Sequence, residues 1–236
     1  EHAASMFRRL AYGVPNTSRY YAKASWWAAR AYEETNRTAL ARVFLNMAAH
    51  NDDFSLYGQL ASERVSRGRE LKWEAPEMNP DHVKTLLKDA GIRRMIALVQ
   101  IGEHALAQDE LKASYERIPY GMDETLLAMA VDLHLPNASL TLAHNLKERN
   151  KVYLRGMYPV TAFWEPQDGY QMDPALLHAI IRQESAFKPA VRSHASARGL
   201  MQIMPATARF IRHKTQNRAL PTYMLNNPKI NMMLGQ

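Results

Sequence analysis

The chain has 236 residues, of which 47% are hydrophobic, so it is long enough to bury a sizeable core in one large domain or two smaller ones. It contains no cysteine, which excludes disulfides, thiolate metal sites and cysteine nucleophiles. No stretch approaches the ~20 consecutive apolar residues of a membrane-spanning helix, and no secretion signal leads the sequence. Since a helical pattern is already present at Glu1, we expect the chain to be a processed or trimmed product.

The net charge of +7 is concentrated in the C-terminal segment. Residues 185–236 contain eight Lys and Arg residues and neither Asp nor Glu, whereas residues 1–184 carry 22 basic and 23 acidic residues. A basic segment favours an anionic partner such as a nucleic acid, an anionic lipid or an acidic polymer, although it is also typical of a solvated surface. Because no nucleic-acid motif accompanies the charge, nucleic acid is not expected as a partner.

Residues 1–150 predict one amphipathic helix after another, with no convincing strand alternation. Apolar residues recur at i, i+3, i+4 and i+7, which gives each helix a single apolar stripe. This spacing occurs at Leu40, Val43, Phe44 and Met47, at Val83, Leu86, Leu87 and Ala90, and at Leu126, Met129, Ala130 and Leu133. Such a stripe is buried only against neighbouring helices, so the pattern favours an array of helical hairpins. A generic all-α domain is the alternative, because no strict repeat is visible.

Two stretches interrupt the helical pattern. Residues 66–80 predict a longer connection between two groups of helices. Residues 155–172 are rich in proline, glycine and aromatic residues, and we place the domain boundary there, with domains of residues 1–155 and 156–236. Aromatic side chains in a connector pack between domains more often than they contact a ligand, although they also stack on sugar rings. Those of the second stretch are Tyr158, Phe163, Trp164 and Tyr170.

Residues 173–185 predict a helix with clear ends. Asp173 can cap the first turn, and Pro174 occupies the first helical position, where its missing N–H costs nothing. The helix is expected to end before Pro189, because proline disfavours helical backbone in the residue before it.

Glu184 falls on the same face of this helix as Leu177 and Ile181, so we expect it to be buried on an apolar stripe. An apolar environment raises the pKa of a carboxyl group, and a glutamic acid that is protonated near neutral pH can act as a general acid. The alternative is a helix-end glutamate that reaches solvent. His178 and Arg182 lie toward the other side, where we expect them to face solvent without a role.

The residues from Glu184 onward form a long and specific pattern. Residues 184–208 read ESAFKPAVRSHASARGLMQIMPATA, which combines a Glu-Ser pair, an aromatic residue and a proline with a later Gly-Leu-Met-Gln and Met-Pro-x-Thr-Ala. This run resembles the lysozyme-like catalytic domain of the soluble lytic transglycosylases, and a match of this length is far more specific than one short motif. Residues 26–31 and 54–61 resemble, more weakly, the α-superhelical domain that precedes this catalytic domain in the family.

The resemblance implies an all-α fold, in which a helical-hairpin superhelix precedes a truncated goose-lysozyme-like domain. It implies a lytic transglycosylase that cuts the β-1,4 bond between N-acetylmuramic acid and N-acetylglucosamine in peptidoglycan without water, leaving a 1,6-anhydro sugar. It implies no cofactor and no metal. Glu184 matches the single catalytic acid/base, and the positions that approach the sugar are matched by Ser193, Gly199, Met201, Gln202 and Met204. Taken alone, the methionines would be assigned to core packing, and Ser193 and Gln202 to surface hydrogen bonding.

The sequence departs from the family pattern at two places. The family usually has glycine where Ser196 stands, and a serine there is strained if the site needs a positive φ. Residues 231–236 resemble the beginning of a motif that continues in the family to a tyrosine near the catalytic glutamate, and this sequence does not contain that tyrosine. These departures leave open a second hypothesis, a non-catalytic peptidoglycan-binding or scaffold protein.

Most glycosidases use two carboxylates, and none follows Glu184 in this sequence. The nearest upstream acids are Asp173, Asp168 and Glu165. A more distant acid could also fold into the site, or a C-terminal segment beyond this sequence could supply one. The family instead implies one acid/base and a tethered 6-hydroxyl as nucleophile. It further implies the periplasm of a Gram-negative bacterium, peptidoglycan strands as the partner, other cell-wall enzymes as further candidate partners, and an outer-membrane anchor on a removed N-terminal segment as an open alternative.

Overall fold

The computed structural model describes residues 1–16, 18, 20–51, 55–65, 72–161, 163–166, 168–216 and 220–236. Within these ranges the chain forms helices joined by loops and no β-strand, with two isolated β-bridges between residues 192 and 203. The prediction of an all-α fold is therefore confirmed. In the same ranges, no helix is long and apolar enough to cross a membrane.

The chain divides into two compact units, Glu1–Leu71 and Lys72–Gln236. The division falls within the connection predicted at residues 66–80, of which residues 66–71 lie outside the described part of the chain. Residues 72–79 contain no helix. The boundary expected between residues 155 and 156 would subdivide the second unit, and it stays a prediction.

The first unit consists of α1 (His2–Gly13), α2 (Tyr21–Glu33), α3 (Thr38–Asn51) and α4 (Leu56–Arg64). Its core is built largely from alanine, whose small side chain lets neighbouring helices approach closely. Trp26, Tyr32 and Phe44 are buried among these alanines, and the rings of Tyr32 and Phe44 stack with centroids 5.5 Å apart.

The apolar stripe predicted at residues 40–47 is not the buried face of α3. Phe44 is buried and Met47 packs against the same core, but Leu40 and Val43 are exposed. Ala48, one turn beyond Phe44, is fully buried instead. The stripe prediction is wrong here because it counted only large apolar side chains, whereas alanine forms much of the helix contact surface in this unit.

The second unit begins with an array of six helices. They are α5 (Pro80–Leu86), α6 (Ala90–Gln100), α7 (His104–Tyr115), α8 (Asp123–Asp132), α9 (Pro136–Lys147) and α10 (Leu154–Met157). Helix α6 packs on α7, and α8 packs on α9, as expected for helical hairpins. The predicted hairpin array is thus present in this unit.

The two apolar stripes predicted in this array differ in their outcome. All members of the stripe at residues 126–133 belong to one hydrophobic core or pack against it, so this stripe is confirmed. For residues 83–90, Leu86 is buried and Val83 packs against the same core, whereas Leu87 is exposed. Helix α5 ends at Leu86, so the helical periodicity does not extend to the later positions of that stripe.

The rest of the second unit contains α11 (Pro174–Ser185), α12 (Pro205–Gln216), a 3-10 helix (Thr222–Asn226) and α13 (Pro228–Gly235). The start and end of α11 agree with the predicted helix. One core cluster joins α11 and α13 to α9, and its members are Leu140, Trp164, Leu177, Ile181, Phe187, Leu200 and Met232. This cluster, called the α11 core below, holds α11 against α9 and supports the loop that follows α11.

Candidate active site

Helix α11 carries Glu184 in its last turn. Its start is fixed by Asp173, whose carboxylate accepts the Ala175 N–H at 2.8 Å. Its end is a sharp reversal, because Ala186 and Phe187 both have positive φ, 47° and 62°. Left-handed backbone at a non-glycine residue costs about 1–2 kcal/mol, and here the buried Phe187 side chain holds it in place. The chain therefore turns away directly after Glu184.

The side chain of Glu184 is exposed, so the prediction that it is buried on the apolar stripe is wrong. Leu177 and Ile181, on the same face of α11, are 0% and 1% exposed. Glu184 lies one turn beyond Ile181, and at that point Phe187, not the glutamate, completes the α11 core. The helical periodicity is correct, but the core ends before the helix does. An exposed carboxyl group at this helix end is accessible to a ligand.

The prediction that His178 and Arg182 face solvent is also wrong. His178 is 4% exposed, and its Nε2 accepts the Thr161 N–H at 3.2 Å while its Nδ1 lies 2.7 Å from a backbone carbonyl of the preceding turn. Arg182 donates from Nε to Met157 O at 2.9 Å and lies over the Tyr158 ring at 4.7 Å. Helix α11 is thus covered on two sides, by its core and by the connector before it, whereas the helical pattern alone suggested one buried face.

Ser193 lies in a compact loop, residues 188–204, that follows α11. Its N–H donates to Ala197 O at 3.0 Å, and its hydroxyl oxygen accepts the Ala197 N–H at 3.0 Å. Further along the loop, Arg198 and Ile203 exchange two backbone hydrogen bonds of 3.1 and 3.0 Å. The Ser193 side chain therefore stabilises a turn of the loop, and its predicted contact with a sugar stays a prediction.

Ser196 has a φ of 68°, which is the condition under which a serine is strained at the family's usual glycine position. The backbone strain at Ser196 is partly compensated, because Arg192 Nη2 donates a hydrogen bond to Ser196 Oγ at 2.9 Å. The loop accordingly keeps a left-handed backbone at this position without glycine.

Gly199, Met201 and Gln202 lie in one tight turn of the same loop. Gly199 has a φ of 78° and Gln202 a φ of 48°. The Gln202 Nε2 donates to Gly199 O at 2.9 Å and to Val191 O at 3.3 Å, so this amide holds the turn together. Met201 is partly buried between two core clusters, whereas Met204 is 40% exposed directly before α12. Of this group, Met204 is the most accessible to a ligand.

Asn231 of α13 holds this turn from below, and the sequence analysis did not identify it. It is fully buried, and its Oδ1 accepts the Met201 N–H at 2.7 Å. Its Nδ2 donates to Arg198 O at 2.9 Å and to Leu225 O at 2.8 Å. Residues 231–236 resemble the start of a family motif, but a single asparagine among apolar residues gives no pattern from which such distant backbone partners could be predicted.

Helix α11 and the loop that carries the other predicted site residues pack on the same core cluster. Leu200, inside the Gly199–Gln202 turn, packs in the same cluster as Leu177 and Ile181 of α11. No hydrogen bond links Glu184 to Gln202 or to Met204 in the described part of the chain. The contact of Glu184 with the same sugar as Gln202 and Met204 therefore stays a prediction.

The upstream acids considered as a second carboxylate lie in other settings. Asp173 caps α11 and is at the opposite end of this helix from Glu184, about 16 Å away at a rise of ~1.5 Å per residue. Glu165 is exposed in the connector. The pKa of the nearby Tyr170 is raised by the burial of its own side chain and, to a lesser extent, by the charge of Glu165. Asp168 is also exposed. Asp173 is thus excluded as a direct partner of Glu184 by distance.

Comparisons with known proteins point to one family. Residues 161–236 match the family described as the transglycosylase SLT domain. Over 219 residues, the chain is 25% identical to the soluble lytic murein transglycosylase of Escherichia coli K12, an alignment that covers 89% of this chain and 32% of that protein. The protein of the same name from Salmonella typhimurium is 26% identical over the same length, with the same coverage. The chain thus spans about a third of the length of these curated relatives.

Solved structures give the same picture of the fold. The 70 kDa soluble lytic transglycosylase of E. coli superposes with a TM-score of 0.75 at 21% identity, over 98% of this chain and 37% of that one. An inactive mutant of the lytic transglycosylase Slt from Pseudomonas aeruginosa superposes with a TM-score of 0.72 at 22% identity, over 99% of this chain and 38% of that one. The E. coli enzyme bound to bulgecin A gives a TM-score of 0.75 at 22% identity, over 98% of this chain and 37% of that one. At these identities, the likeness establishes the fold.

Proposed function

We propose that this chain, which belongs to the soluble lytic transglycosylase family through the SLT domain at residues 161–236, cleaves peptidoglycan glycan strands with Glu184 as the single acid/base. The bond cut is the β-1,4 link between N-acetylmuramic acid and N-acetylglucosamine, and the product is a 1,6-anhydro sugar. The observation that carries this proposal is the exposed carboxyl group of Glu184 at the end of α11, on a support shared with the turn that contains Gln202.

Glu184 first donates its proton to the glycosidic oxygen, and the bond from this oxygen to C1 of the muramic sugar breaks. The substrate's own N-acetyl oxygen stabilises the positive charge at C1. The Glu184 carboxylate then takes the proton of the muramic 6-hydroxyl, whose oxygen bonds to C1 and closes the anhydro ring. The tethered hydroxyl reacts at a high effective concentration, so water is not consumed, and Glu184 is again protonated at the end.

Glu184 is exposed in the free protein, so its carboxyl group is shielded from water only when a substrate is bound beside it. A bound sugar would exclude water from the carboxyl group, so that the glycosidic oxygen is the acceptor beside it in the first step. The accessible Met204 and the turn at residues 199–202 are proposed to hold that sugar, together with Ser193. The setting of Asp173 agrees with a single acid/base, since its carboxylate is committed to the cap of α11.

We place the protein in the periplasm of a Gram-negative bacterium, because its relatives from E. coli and Salmonella are named murein transglycosylases. The basic character of residues 185–236 suits a polymer that bears peptide carboxylates. Attachment to the outer membrane through an N-terminal segment is part of the same proposal, as are contacts with other cell-wall enzymes.

The test is to incubate the chain with purified peptidoglycan sacculi and to identify the released sugars by mass spectrometry. We expect anhydro ends from the wild type and a loss of about 10²–10⁴-fold in Glu184→Gln, since that is the usual contribution of a general acid/base. Glu148→Gln changes an exposed glutamate at the end of α9 and should release products at the wild-type rate. Reducing ends instead of anhydro ends would identify an ordinary lysozyme and overturn the proposal.

A second candidate is a non-catalytic peptidoglycan-binding protein, favoured by the left-handed Ser196 in the loop beside the site. It predicts that the wild type and Glu184→Gln bind sacculi equally and that neither releases soluble sugars. Release of anhydro products by the wild type alone would exclude this candidate.

A further inference from the structure

A cavity of about 420 Å³ lies in the second unit, outside the proposed site of Glu184. Helices α7 and α9 supply most of its lining, and Glu116, directly after α7, and Lys188, from the loop after α11, supply the rest. The lining combines apolar side chains with amides and charges, and it includes Gln108, Leu111, Lys112, Asn137, Asn145 and Lys188. None of the residues predicted to contact the sugar takes part in it.

Gln108 is the most informative residue of this lining. Its side chain is buried, with 6% of the residue exposed, and its Oε1 accepts the Asn137 N–H at 2.7 Å. This bond fixes the orientation of the amide, because only the oxygen can accept. The Nε2 group is left as a donor without an acceptor in the described part of the chain. The Nε2 group is not one of the buried atoms that lack a partner, so it reaches the open space of the cavity, where it can donate to an acceptor on a ligand.

The charges of the cavity favour an anionic group. Lys112 and Lys188 are exposed at the lining, and neither forms an ion pair with a residue that the structure describes. Glu116 is the single acidic residue of the lining, which is therefore net positive. Two ammonium groups beside a donating amide are suited to a carboxylate.

The other amides of the cavity are oriented to accept hydrogen bonds. Asn137 donates from Nδ2 to Ala186 O at 2.7 Å, and Asn145 donates from Nδ2 to the Tyr115 hydroxyl at 3.5 Å. Their side-chain oxygens are thus left as acceptors. Leu111, from the apolar part of the lining, adds a surface for an aliphatic side chain. Donors, acceptors, an apolar surface and positive charge together match the groups of a peptide.

We propose that this cavity binds a short peptide that carries a free carboxylate. Gln108 Nε2 donates to a peptide or carboxylate oxygen, Lys112 and Lys188 pair with the carboxylate, and the asparagine oxygens accept peptide N–H groups. The hydrogen bond from Asn137 to Ala186 places the cavity beside the end of α11, two residues after Glu184. The inference therefore deepens the proposed function and rests on it, because a glycan that carries acidic peptides could occupy both places at once.

The test is an NMR titration of the ¹⁵N-labelled chain with N-acetyl-alanyl-glutamate. We expect saturable shifts at the side-chain amide of Gln108 and at backbone amides of α7 and α9. Lys112→Gln and Lys188→Gln should each weaken binding roughly 2- to 5-fold, as exposed ion pairs do. Added salt should weaken it further in the wild type.

Gln108→Glu is the sharpest variant, because it keeps the acceptor for the Asn137 N–H and replaces the donor by a carboxylate. It should weaken binding about 10-fold or more, since the new charge repels the ligand. Lys88→Gln removes an exposed lysine outside the cavity and is the matched control, with binding unchanged. The amide spectrum checks that each variant is folded, and the two lysine variants test the site if Gln108→Glu does not fold.

Several outcomes would overturn this inference. They are the absence of saturable shifts, equal binding of the uncharged N-acetyl-alanyl-glutamine amide, equal affinity in all variants, and binding of diacetylchitobiose at these residues in place of the peptide. The proposed function is tested separately by the sacculus assay. A chain that releases anhydro sugars but does not bind the peptide refutes the cavity alone, and one that binds the peptide but does not cut sacculi refutes the enzyme alone.

Discussion

Asn231 Oδ1 accepts the Met201 N–H at 2.7 Å, and this hydrogen bond ties α13 to the turn that is proposed to contact the sugar. The same carboxamide donates to two backbone carbonyls, those of Arg198 and Leu225. Since Asn231 is fully buried, each of these bonds replaces water that is not available there. One side chain thus holds three separate segments of the second unit in register.

Replacing Asn231 by Asp should destabilise the chain strongly. The carboxylate cannot donate to the carbonyls of Arg198 and Leu225, so it faces both as an unpaired acceptor in a buried place. We expect the free energy of unfolding to fall by about 3 kcal/mol or more, measured by urea unfolding at pH 7. Asn227→Asp is the matched control, because this exposed residue caps α13 by accepting the Ile230 N–H, and a carboxylate does the same. Equal losses in the two variants would contradict the role given to Asn231.

Gly199→Ala should be similarly damaging, for a steric reason. A Cβ on Gly199 would lie 2.1 Å from Leu225 O and 2.2 Å from Asn231 Nδ2, and the residue also has a φ of 78°. Gly102→Ala separates the two effects, because Gly102 has a φ of 82° but no neighbour within 4 Å of its Cβ. We expect a loss of about 1 kcal/mol for Gly102→Ala and about 3 kcal/mol or more for Gly199→Ala, both from urea unfolding. Similar losses in the two variants would show that the positive φ, and not the close contact of the new Cβ, causes the loss of stability in Gly199→Ala.

The parts of the fold that were predicted correctly depend on local chemistry. Helix α11 begins at the expected proline because a capping aspartate and a proline act within one turn of each other. The stripe at residues 126–133 is buried because large apolar side chains carry the contacts of α8. The long motif at residues 184–208 identified the family, since its many fixed residues leave little room for chance.

The predictions that were wrong depend on which distant parts of the chain pack against a residue. Glu184 is exposed although its helical phase matches Leu177, because the α11 core ends one turn earlier. His178 is buried because the connector covers the far side of α11, a contact that helical periodicity does not contain. Asn231 was missed for the same reason, as its partners are distant backbone carbonyls.

Replacing Ser196 by glycine should relieve the strain of its left-handed backbone. With a φ of 68°, Ser196→Gly should be more stable than Ser196→Ala by about 1 kcal/mol. Both variants lose the hydrogen bond from Arg192, so their difference in the free energy of unfolding isolates the backbone. Ala179→Gly, at an exposed position in the middle of α11, should instead lose about 1 kcal/mol. If glycine is no better than alanine at residue 196, the strain assigned to this loop is wrong.

Asp89 should make the stability of the second unit depend on acid pH. The Arg117 guanidinium and then the capped N–H groups of Ile92 and Gly91 lower the pKa of this carboxyl well below its usual range, and burial opposes them only in part. A folded-state pKa below the unfolded value means that the stabilisation is present above about pH 4 and is lost as the pH falls through the folded pKa. Asp89→Asn should therefore cost about 0.5–1 kcal/mol at pH 7, and the cost should shrink in urea unfolding measured toward about pH 2.

The ion pair and the helix cap at Asp89 can be separated by two further variants. Arg117→Gln removes the guanidinium that lies 3.0 Å from Asp89 Oδ2 but leaves Oδ1 to accept the Gly91 N–H at 2.8 Å, so its cost should shrink with acid in the same way as that of Asp89→Asn. Asp89→Ala removes the cap as well, and it should cost about 1 kcal/mol more than Asp89→Asn at neutral pH. This extra cost should change little with pH, because neither variant carries a carboxyl group at residue 89 and the uncharged Asn oxygen still accepts from the helix. A difference between Asp89→Asn and wild type that stays constant from neutral to strongly acidic pH would show that the charge of Asp89 does not stabilise the fold.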